Sequence, residues 1–195
     1  SRVPLRLLTR TPTARRALAV MATAQVVMGG LMTAAPLGMH QHHATLGSVG
    51  TALSAHALGM FALSPLTGWL LDRFGARQVM LAGLLTMLVA TVQLTIAPGD
   101  EGLRVAALFQ LGYGWNLCFV GGSGSLADGF GPADRSGVEG AVDAAVWGLA
   151  AVAALSSTAA FAAGGYTLLG ALAAALLVTV TLPLRSRMIR ESRTG

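Results

Sequence analysis

Six unbroken apolar runs, divided by short breaks that hold nearly all of the charge, constrain this sequence more than any other feature. They cover residues 17–37, 49–71, 79–97, 105–126, 138–160 and 166–184. A spanning helix needs roughly 20 apolar residues to cross about 30 Å of hydrocarbon, and each run has about that length. The runs are continuous rather than alternating, which favours helices over barrel strands, and a helix satisfies its own backbone polar groups in lipid. The expected fold class is therefore an all-α membrane protein with six transmembrane helices. Composition agrees: 11% of the 195 residues are charged and 54% are hydrophobic, whereas a soluble domain carries roughly a quarter charged residues.

Orientation follows from arginine, because basic loops stay on the cytoplasmic side. All 13 basic residues are arginine. Arg2, Arg6, Arg10, Arg15 and Arg16 precede the first run, Arg73 and Arg77 follow the second, Arg135 follows the fourth, and Arg185, Arg187, Arg190 and Arg193 follow the sixth. Only Arg104, beside Asp100 and Glu101, falls on the opposite side. Both termini are expected in the cytoplasm. The chain thus divides into an arginine-rich lead at 1–16, a six-helix bundle at 17–184 and a basic tail at 185–195. A cleaved signal peptide competes for the lead, since small residues Thr33, Ala34 and Ala35 end the first run, but that run is long enough to span and more spans follow.

Several function classes recede. The arginines flank apolar runs instead of forming a stripe with aromatics, which speaks against a nucleic-acid partner. Cys118 is the one cysteine, so no internal disulfide exists. His40, His42 and His43 lie close together in the first outside loop. No carboxylate or cysteine joins them, so a solvated polar loop is expected rather than a metal site, and no cofactor is expected.

The sharpest local signal is Gly68-Trp69-Leu70-Leu71-Asp72-Arg73-Phe74-Gly75-Ala76-Arg77, between the second and third runs. Gly68 is suited to the close approach of a neighbouring helix. Asp72 can face the positive N-terminus of an adjacent helix, and Gly75 allows a tight reversal with positive φ. In Gly68, Leu70, Asp72, Arg73, Gly75 and Arg77 the segment resembles the signature loop of the major facilitator superfamily of secondary transporters. Leu71 and Ala76 depart from the pattern. Pro65, Trp115-Asn116 and Arg135-Ser136-Gly137-Val138-Glu139-Gly140, with Asp143 beyond, extend the likeness.

The resemblance covers one half of a twelve-helix carrier. The arginine-rich lead reads better as a central cytoplasmic loop, so the C-terminal half is expected, with a possible 3+3 inverted repeat. The resemblance further implies a bacterial plasma membrane, a loop at 68–77 that latches one facing state, and a small-molecule substrate. The other six-helix half and the lipid bilayer are the implied partners. Proton-coupled efflux of a small amphipathic or drug-like molecule is the expected activity, and a non-transporting orphan half that pairs with another chain is the alternative.

Polar groups at spanning depth are the candidate site residues. Glu139, Asp143 and Trp147 share a helix face at i, i+4 and i+8. Asp143 is the first candidate for a proton site, against the bland reading of a pair with an arginine of the latch loop; His56 is the second and Glu139 the third. Gln25, Gln110, Asn116 and Trp147 are candidates to line a cavity, and Met21, Met28, Met32 and Met60 offer an adaptable apolar wall or plain packing. One enzyme reading competes: Gly121-Gly122-Ser123-Gly124 near the end of the fourth run is similar to the rhomboid intramembrane proteases. The sixth run, 166–184, contains no histidine to activate such a serine, so no enzyme is expected.

Overall fold

The computed structural model describes residues 11–41, 45–97 and 99–191, and every element among them is helical. The helices are α1 (Pro12–Gln41), α2 (Leu46–Phe61), α3 (Ser64–Phe74), α4 (Ala76–Ile96), α5 (Glu101–Gly129) and α6 (Pro132–Glu191). Local chemistry sets their starts. Thr45 caps α2 by accepting from the Ser48 N–H at 3.2 Å, and Asp100 caps α5 by accepting from the Leu103 N–H at 2.8 Å. The lead arginines Arg2, Arg6 and Arg10, the histidines His42 and His43, and Arg193 lie outside the described residues.

Two elements depart from straight helices. The second apolar run forms one kinked rod, α2 and α3, broken at Ala62 and Leu63. Pro65 explains the break, because it brings no N–H to the carbonyl four residues back and its ring crowds that turn. The 60-residue α6 leaves helical geometry at Gly164 (φ −155°, ψ 18°) and Gly165 (φ 59°, ψ −153°). The Gly165 conformation belongs almost solely to glycine.

Packing shows that α6 doubles back there. Its early residues Val138, Val142 and Val146 cluster with Ala14, Ala17 and Met21 of α1. Its late residues Thr179, Val180, Pro183 and Leu184 line a cavity with Pro12, Arg16 and Val20 of the same α1 end. Tyr166, beside the reversal, instead packs where α1 finishes, and a Cβ on Gly38 would overlap its ring.

Four segments are long and apolar enough to cross a membrane: Pro12–His40, Leu46–Phe74, Ala76–Ile96 and Asp134–Leu184. The chain is therefore a multi-pass helical membrane protein. The last segment, at 51 residues, is more than twice what one crossing needs. Helix α5 falls outside that set because Gln110, Asn116, Arg104 and its many glycines dilute its hydropathy. It is nevertheless the centre of the bundle, in contact with α1, α2, α3, α4 and the start of α6.

The α4–α5 seam brings backbones together. A Cβ on Gly83 would stand 2.7 Å from the Gly114 carbonyl oxygen, one on Gly114 would stand 2.8 Å from the Gly83 oxygen, and Gly121 meets Met80 at 2.9 Å. On another face, Gly112 of α5 and Gly59 of α2 leave no space for side chains, since added Cβ atoms would fall on the carbonyls of His56 and Phe109. Small residues that let helices touch through their backbones are the usual device of association within lipid.

Candidate functional site

The rod α2–α3, helix α5 and the first arm of α6 enclose an open groove of about 490 Å³. Met60, Phe61 and Leu71 form one wall, Trp115, Asn116, Phe119 and Ser123 form the floor, and Glu139 stands on the side contributed by α6. Glu139 is half-buried there, and it is the only ionisable residue among those lining the groove.

Asn116 joins the floor to the wall at the helix break. Its Nδ2 donates to the Met60 carbonyl at 2.8 Å and to Ser64 Oγ at 3.0 Å, and its Oδ1 accepts from Thr67 Oγ1 at 2.6 Å. A continuous helix would bond the Met60 carbonyl to the N–H four residues on, and the break withdraws that partner. The amide of Asn116 replaces it. The side chain is 4% exposed, so removing it strands several polar groups in an apolar setting.

Gln25 and Trp115 form a second cross-helix bond. The indole Nε1–H donates to Gln25 Oε1 at 2.6 Å, fixing the ring from α1. Trp115 then stacks on Phe119, one helical turn later, with centroids 4.3 Å apart and planes 28° from parallel. Both rings are half-buried and line the groove. The pair went unnoticed as a unit in the sequence. The i, i+4 spacing of two aromatics, in a chain with only 6% aromatic residues, was the available signal.

The remaining candidates separate. His56 is buried in the α2–α5 contact, with Nδ1 3.0 Å from the Leu108 carbonyl oxygen, and does not line the groove. Its role there is to tie two helices. Asp143 and Trp147 lie on exposed faces of α6, Trp147 at 55% exposure, and neither lines the groove. Asp143 makes no hydrogen bond or ion pair among the described residues, so the competing reading of a pair with a latch-loop arginine is not met. Gln110 is half-buried on α5 and also lies away from the groove. Met21 and Met28 belong to the packed core, whereas Met60 reaches the groove wall.

The loop after the kinked rod keeps its expected turn. Gly75, at φ 82° and ψ 160°, closes α3 and opens α4 in a conformation that side chains resist. Arg77 reaches across to α6, donating from Nη2 to the Leu184 carbonyl at 2.9 Å. Asp72 and Arg73 are exposed. Gly68 differs from expectation: nothing lies within 4 Å of where its Cβ would be. The smooth patch it creates on α3 faces away from the rest of this bundle. His40 is exposed at the far end of α1, and no group of three metal-ligating side chains occurs among the described residues. Ser123 is exposed in the groove with no histidine among its lining.

A polytopic helical bundle with an open, aromatic-floored groove is the class that these observations define. The sequence matches the Major Facilitator Superfamily over residues 17–194, and the chain belongs to that family. This places it with membrane transporters and not with enzymes. Among similar proteins, the uncharacterised MFS-type transporter YddS of Bacillus subtilis is 34% identical over 167 residues, 84% of this chain and 38% of that protein. The riboflavin transporter RfnT of Brucella anthropi is 29% identical over 185 residues, 95% of this chain and 46% of the relative. A shorter match, 34% over 89 residues, covers 46% of this chain and 21% of the multidrug transporter MdfA of Escherichia coli. The chain thus spans less than half the length of each of these relatives. No solved structure gives a significant match.

Proposed function

We propose that this chain is one six-crossing half of an alternating-access carrier that drives proton-coupled efflux of a small amphipathic or drug-like molecule. The observation that carries the reading is the family match across 17–194 together with a groove left open on one side of the bundle. Two crossings come from the arms of α6, whose reversal at Gly164–Gly165 brings both arms back to one end of α1, and a further one from α5. A second six-helix bundle, beside this one in the bilayer and facing the groove near the membrane midplane, completes the site. In this reading 1–16 and 185–195 are cytoplasmic, 17–184 lies in a bacterial plasma membrane, and the loop at 68–77 latches one facing state through Arg77. The names of the riboflavin and multidrug relatives support a small-molecule substrate, and the apolar groove favours an amphipathic one.

Asp143 is the first candidate for the proton site and Glu139, already in the groove, is its rival. Transport by the intact carrier in vesicles, with an imposed pH gradient and proflavine as the cargo, separates them. The coupled reading expects movement driven by the gradient and lost in Asp143→Asn. Movement that survives Asp143→Asn but is lost in Glu139→Gln transfers the role to Glu139, and an intact carrier that moves no cargo under any gradient removes the coupled-efflux reading.

A further inference from the structure

We infer that the Trp115–Phe119 pair and Glu139 form a binding site for a planar aromatic cation, which names the substrate class of the groove and rests on the carrier reading above. The ring pair is held in place before any ligand arrives. Gln25 takes the indole N–H at 2.6 Å, Phe119 covers one side of the ring system at 4.3 Å, and both side chains still border open volume. With its single donor satisfied, the indole offers the ligand only ring surface, so stacking rather than hydrogen bonding selects what binds. Phe61, 63% exposed and also lining the groove, adds a further aromatic surface.

Charge completes the recognition. Glu139 is the sole ionisable lining residue of a groove that is otherwise apolar apart from Asn116 and Ser123, and Asn116 is committed to the helix break. A half-buried carboxylate lining the same groove as aromatic faces favours a cation, since both attract positive charge and water competes poorly there. An anion meets repulsion, and a neutral ring system leaves the carboxylate unpaired. A non-aromatic cation forgoes the stack. The volume of about 490 Å³ is within the usual range for drug-sized ligands.

Equilibrium binding of proflavine to the intact carrier in nanodiscs, read by fluorescence anisotropy without any gradient, tests this. Lumichrome serves as the neutral planar probe and tetrabutylammonium, read by displacement, as the non-aromatic cation. Proflavine is expected to bind tightest of the three. Trp115→Leu and Glu139→Gln should each weaken it about tenfold or more, while Trp115→Phe, which keeps a ring, holds affinity within about threefold. Glu139→Gln should leave lumichrome unchanged. Phe119→Leu, which leaves the Gln25 bond intact, gives a second reading should Trp115→Leu lower the unfolding temperature.

Proflavine affinity unchanged in Trp115→Leu, Phe119→Leu and Glu139→Gln overturns the site. So does equal binding of the three probes, or no binding because another bundle fills the groove. Failure of the carrier reading looks different: proflavine binds and responds to the variants, yet vesicles show no gradient-driven movement.

Discussion

The α4–α5 seam and the break between α2 and α3 meet the same central helix by opposite means. Along the seam, Gly83 and Gly114 bring carbonyl oxygens to within side-chain distance of the facing backbone, and 44% of the apolar window of α4 is buried. Along the rod only 17% of the window is buried, and the helix is interrupted where it passes Asn116. Backbone contact of the first kind has one arrangement, because a shift of even a few tenths of an ångström is a clash. Side-chain hydrogen bonds of the second kind can be exchanged for others at small cost. The contrast assigns rigidity to α4–α5 and adjustability to the break and α3, and substitutions graded from the seam outward test it.

Gly114→Leu should have the largest effect. Its side chain would strike Met87 and the Gly83 carbonyl, costing more than about 3 kcal/mol, and loss of monodisperse protein in detergent would register it. An unchanged unfolding temperature would dissolve the contrast. Gly165→Ala comes next, since positive φ with ψ near −153° strains any side chain by roughly 1–3 kcal/mol; thermal unfolding is the measurement. Asn116→Ala should cost only about 1 kcal/mol, in the range found for polar bonds between membrane helices. Its clearer signature is faster amide hydrogen exchange across 60–67 with the α4–α5 seam unaffected, and equal acceleration in both regions would contradict the division. Gly68→Ala should be smallest, neutral or slightly stabilising, because nothing in this bundle meets the new methyl. A drop of several degrees in the intact protein would reveal a helix from outside this chain seated on that patch.

Much of this fold was legible in the sequence because lipid imposes length and apolarity on every span. The run at 17–37 lies inside α1, and the run at 105–126 lies inside α5. The second run was expected to be one continuous helix, and although Pro65 lies within it, the break at Ala62 and Leu63 was not expected. The Gly164–Gly165 reversal coincided with the gap between the last two runs. The site was less legible, since its contacts join distant positions: Gln25 to Trp115, and Asn116 to Met60 and Thr67. Helical spacing correctly put Glu139, Asp143 and Trp147 along one side of a helix, but it carries no information on where that side faces. Glu139 reaches the groove and Asp143 does not. Gly68 shows the same limit from the other direction, because its spacing suited a close contact that no part of this bundle supplies.

The tether between Trp115 and Gln25 also gives the chain a built-in optical reporter. Of its three indoles, Trp69 and Trp147 stand more than half exposed on outer surfaces, where phenylalanine can replace them without touching the groove. With those two replaced, this chain would emit from a single ring of fixed orientation, stacked on one neighbour, whose colour and lifetime register whatever settles beside it.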